Sequence, residues 1–94
     1  MANVQQGMNT EAVRSSAGII KKKAAEIEAK SSEAQKVAGQ LKQDWLGNDS
    51  DQFQNDWQQA KKKIDLVATE LQRFAKAATT QADDQDKRSS NDNG

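Results

Sequence analysis

The stretch DWLGND, residues 44–49, places one of the chain's two tryptophans beside a glycine at the midpoint of a sequence that contains no proline. It is the one strong interruption between two long periodic segments, and the fold follows from reading it as a hairpin bend. Before it, Val13, Ala17, Ile20, Ala24, Ile27, Ser31, Ala34, Ala38, Leu41 and Trp45 follow one another at alternating steps of four and three. After it the rhythm returns as Phe53, Trp57, Ala60, Ile64, Val67, Leu71, Phe74 and Ala78. That spacing puts each set on one stripe of a helix, and strand-like alternation is absent.

The ends support two helices, about 10–46 and 50–82. Asn9 is placed to cap the first, with Met8 and Val13 as a hydrophobic staple. Gly47 suits the left-handed conformation that closes a helix. Asp49 is the expected cap of the second, with Gln52 in the capping-box position. So short a connection folds the helices back antiparallel. The expected organisation is a flexible N-terminus over 1–8, a helical hairpin over 9–82 and a disordered polar tail over 83–94, where QADDQDKRSSNDNG loses the apolar period. Gly18 and Gly39 interrupt the first helix, either for close helix approach or as weak points.

Composition limits what such a hairpin does. The chain has 94 residues, of which 34 % are hydrophobic, and its mean hydropathy is −1.02. A domain this small needs a staple or a partner. Cysteine and histidine are both absent, which removes disulfides and the usual zinc ligands. Association is left as the source of stability. The core of the hairpin and of its dimer is expected at Ala17, Ile20, Ala24, Ile27, Ala34, Ala38, Leu41, Ile64, Val67, Leu71 and Phe74. Two hairpins packed face to face make a four-helix bundle.

Lysine plus arginine equals aspartate plus glutamate, 14 each, so no global field attracts nucleic acid or a membrane surface. No segment is long and apolar enough to span a bilayer, the outer helix faces do not favour stable membrane insertion, and MANVQQGMNTEAV does not resemble a signal peptide. The two KKK runs, at 21–23 and 61–63, sit roughly 20 Å apart along the helix axis and read as solvated faces with partners such as Lys22 with Glu26 and Lys61 with Asp65. ADDQD lacks the spacing of a calcium loop. No cofactor or metal is expected. Without His, Cys or Tyr the chain has few tools for catalysis, so no catalytic residue and no enzyme activity are expected.

Trp45, Leu46 and Gly47 form W-x-G at the bend, with Phe53 and Trp57 entering the second helix as its packing partners. A cysteine-free chain of this length with W-x-G between two heptad-patterned helices resembles the WXG family of small type VII (ESX) secretion proteins. They are similar to the early secreted antigenic target of mycobacteria. The resemblance spans about residues 8–82 and includes the start MNTEAV. It implies a substrate made in the cytoplasm of a Gram-positive or actinobacterial cell and secreted, already folded, as a homodimer or with a WXG-type paralogue. Recognition would come from the membrane-bound type VII secretion ATPase. An adaptor for a larger effector and a cytosolic coiled-coil scaffold are the alternatives. In many members a tyrosine followed four residues later by an acid forms part of the export signal. Here there is no tyrosine; Phe74 is the nearest aromatic, Ala78 stands where the acid belongs, and acids arrive only at Asp83, Asp84 and Asp86. That signal is degenerate or supplied by a partner.

Overall fold

The computed structural model describes residues 7–93, with side chains up to Ser89. It contains two long helices packed as a hairpin, α1 over Thr10–Asp44 and α2 over Asn48–Asn93, and no strand among the described residues. By compactness the chain divides into a turn unit, Lys23–Glu70, and a terminal unit formed by the described residues up to Lys22 and from Leu71 onward.

The start of α1 is capped as its sequence suggests. Ala12 donates its backbone N–H to Asn9 Oδ1 at 3.1 Å, and Val13 donates to the Asn9 carbonyl at 3.0 Å. The start of α2 differs from the expected Asp49 cap. The helix begins at Asn48, and Asp51 donates its N–H to the Gly47 carbonyl at 3.1 Å. Asp49 and Asp51 therefore both lie in the first turn, where their charge favours the positive end of the helix dipole.

The far end of α2 is also a correction. A disordered tail was expected from residue 83, yet the helix continues through Asn93. Two local reasons are visible in the terminal unit. Ala82 is fully buried and continues the packed row, and Arg14 ties down the next turn. Its Nε and Nη2 donate to Asp83 Oδ1 at 3.1 and 2.9 Å, and its Nη2 also pairs with Asp86. The Arg14 contact holds the Asp86 carboxyl below the usual carboxylate range, helped by a hydrogen bond to Thr10, and the same pairs raise Arg14 further. Loss of hydrophobic period did not end the helix because no proline or glycine interrupts it before Gly94. Residues 1–6 of the expected flexible N-terminus, and Gly94, lie outside the described residues.

The core is made of small side chains. In the turn unit Ala24, Ser31 and Ala38 of α1 and Ala68 of α2 are buried; in the terminal unit Ala17, Ala75 and Ala82 are. These positions recur at heptad spacing on each helix, one seam per helix, and no large side chain is fully buried among the described residues. On α1 this is the expected small row. On α2 it is not the expected stripe: Phe53, Val67 and Phe74 are exposed, at 37 %, 51 % and 61 %, and the seam runs through Ala68, Ala75 and Ala82 beside them. Alanine wins because two helix backbones approach most closely where side chains are smallest.

Gly18 and Gly39 are helical, and a Cβ built at either meets nothing within 4 Å. Within this chain neither glycine is there for close approach. Gly39→Ala is therefore expected to raise stability by about 0.5–1 kcal/mol through the lower entropy of the unfolded chain, read as a higher urea midpoint.

Candidate functional site

The turn is built from three residues between the helices. Trp45 donates its backbone N–H to the Leu41 carbonyl at 2.9 Å, closing the last turn of α1. Gly47 then takes φ +116°, a conformation that L side chains rarely adopt, which is why a glycine stands at this point. The Trp45 ring packs on Phe53, with centroids 5.8 Å apart and planes tilted by 43°. It stays 39 % exposed, and Leu46 is 82 % exposed, so the motif presents an apolar surface at the bend.

Trp57 does something else. Its indole N–H donates to Gln35 Oε1 at 2.7 Å, which also accepts from Gln58 Nε2 at 3.3 Å. Gln54 Nε2 donates to the Ala38 carbonyl at 2.9 Å. Ser31, the one polar residue in the α1 seam, donates its hydroxyl to Asp65 Oδ1 at 2.8 Å, while Lys61 Nζ reaches Asp65 Oδ2 at 2.6 Å. These bonds, the Lys61 contact first, hold the Asp65 carboxyl below its ordinary range. Lys61 was expected on a solvated face. It lies instead on the heptad of the α2 seam and is half-buried, as is Gln54. Glu26 pairs with Lys23, at 3.4 Å, rather than with the expected Lys22. The sequence signal for these polar seam positions is the heptad 54, 61, 68, 75, 82.

Beside the seam lies an apolar groove. One part, about 520 Å³, is lined by Ile27, Ala34, Trp57 and Ile64; the next, sharing Ala34 and Trp57, continues past Val37, Leu41 and Phe53. Ile27, Ala34, Trp57 and Ile64 are half-buried, and Val37, Leu41 and Phe53 are exposed. In the terminal unit Ile20 and Leu71 are half-buried as well. Of the residues expected as shared hairpin and dimer core, Ala17, Ala24 and Ala38 are thus buried in the seam, while Ala34 and the bulkier ones stay half-buried or exposed. Of the expected export-signal residues, Phe74 and Asp84 are exposed and Asp83 is ion-paired with Arg14. Among the described residues no His/Cys/Asp/Glu group could hold a metal ion, and no helix is long and apolar enough to cross a membrane.

Fold and turn together define an all-α hairpin with W-x-G at its bend. Residues 6–86 match the family WXG100, described as proteins of 100 residues with WXG. The chain belongs to this family of small type VII secretion proteins. No curated protein and no solved structure matches it.

Proposed function

We propose that the chain is a non-enzymatic substrate of a type VII secretion system. It is made in the cytoplasm and exported as a folded dimer, with itself or a WXG-type paralogue, without a cleaved signal peptide. The observation that carries the pairing is in the turn unit: the alanine seam consumes the small residues and leaves Val37, Phe53 and Val67 to solvent. Large apolar side chains left exposed on so small a chain mark an interaction surface. Family membership supports the export route, and the secretion ATPase is the expected partner at the membrane. Trp45 and Leu46 at the bend contribute to the surface it reads. Phe74, Asp83 and Asp84 stand as a degenerate export signal, set on a helix rather than a loose tail.

The second reading is an adaptor for a larger effector, favoured by the missing tyrosine. One experiment separates them. The protein is quantified in culture medium with the ATPase gene present and deleted, beside a cytosolic lysis marker. Loss from the medium on deletion is expected, and Trp45→Ala is expected to reduce export while leaving the dimer folded. Retention in the cell in both strains, together with a second chain that co-purifies, would point to the adaptor.

A further inference from the structure

Beyond Ala82 the packed row of α2 ends. Ala82 is fully buried, but the next position of its heptad is Ser89, which is exposed, and between them only Gln85 is half-buried. The sequence from there, DDQDKRSSNDN over residues 83–93, has no apolar residue and is rich in Asp, Ser and Asn, which are weak helix formers. Its last turn carries no basic residue to meet the negative end of the helix dipole. A segment so short and polar does not hold a helix by itself.

What fixes it is a clasp to the first turns of α1. Arg14 donates to Asp83 Oδ1 from Nε and Nη2, at 3.1 and 2.9 Å, and pairs with Asp86 through Nη2. Thr10, one turn before Arg14, donates a hydrogen bond to Asp86 as well. All four residues belong to the terminal unit. The Arg14 side chain is 36 % exposed and that of Asp83 54 %, so water and salt compete for the contact.

We propose that residues 83–93 are a strap, closed by Arg14 and Thr10, that opens without disturbing the alanine seam and then offers Asp83 and Asp86 to a basic peptide segment of a partner. Asp84 between them is exposed already. Arg14 itself shows the chemistry these carboxylates accept: a guanidinium that sets two N–H donors on one oxygen. A partner arginine takes the same place only when Arg14 leaves it. The contact is therefore autoinhibitory, and it is independent of the export route.

Hydrogen exchange on the full chain tests the strap. In Arg14→Ala the amides of residues 84–93 should exchange about tenfold faster than in the parent. Those of residues 71–79 should keep their protection, which shows in the same experiment that the seam stays folded. Added salt should move the parent toward the variant. Equal exchange in the two chains overturns the strap. Labelled hexa-arginine, followed by fluorescence anisotropy at low salt, tests the docking. Arg14→Ala should bind it on the order of fivefold more tightly than Lys21→Ala, which removes the same charge from α1 and leaves the clasp intact. Adding Asp83→Asn and Asp86→Asn to Arg14→Ala should remove that gain, and a gain that survives them overturns the site. Equal affinities for Arg14→Ala and Lys21→Ala would reduce the effect to net charge and overturn the autoinhibition.

Discussion

Ala68→Leu is expected to lower stability by about 1–3 kcal/mol, a large share of what a domain of this size possesses. Ala68 is fully buried in the α2 seam of the turn unit, where the buried α1 positions are Ala24, Ser31 and Ala38. Three added carbon atoms have no void to enter there. The helices must part, or the side chain must leave its rotamer minimum, and parting strains the nearby Ser31–Asp65 bond. The neighbouring change Val67→Leu enlarges a residue that is 51 % exposed and should cost well under 1 kcal/mol in the isolated chain. Urea unfolding of the two variants checks the contrast. Equal losses would mean that the apolar stripe through Val67, rather than the alanine row beside it, is the intrachain contact.

Gly47→Ala carries the second large effect. Nothing lies within 4 Å of a Cβ built there, so the substitution meets no clash with the rest of the chain. What it meets is the backbone: at φ +116° an L residue is strained, at a cost of about 1–3 kcal/mol. The same chemical change at Gly39, equally free of neighbours, should stabilise because its backbone is helical. Opposite signs for one substitution at two open positions isolate the conformational contribution. Thermal unfolding of the two alanine variants reads it directly, and a Gly47→Ala chain as stable as the parent would remove the turn from the argument.

Much of the fold could be read from the residues. The breaks at Asn9 and Gly47 announced both helices, and steps of three and four left no other secondary structure. Periodicity was less able to say which apolar stripe faces the other helix. On α2 the bulky row Phe53, Val67 and Phe74 and the small row Ala68, Ala75 and Ala82 are adjacent, and hydrophobicity alone favours the bulky one. The choice depends on how near two backbones come, a tertiary quantity. The same limit hid Lys61 and Gln54, whose polarity marks them for solvent although their heptad position places them at the seam. The end of α2 was misjudged for a different reason. Asp83 and Asp86 look like tail composition until Arg14, far off in sequence, is seen to hold them.

A seam of alanines has one property that a seam of mixed large residues lacks: its layers are nearly interchangeable. Sliding one helix past the other by a whole heptad would set methyl against methyl again and lose little dispersion energy, so the row by itself cannot say where the helices should stop. In the turn unit that information is supplied by polar groups of unlike kind. A hydroxyl at Ser31 has one carboxylate to meet, Asp65; an amide at Gln54 has the Ala38 carbonyl; the Trp57 indole has Gln35. Shift the helices by a heptad and all three partners are lost together. The hydrophobic row brings the helices close, and the hydrogen bonds act as the detent that stops them in phase.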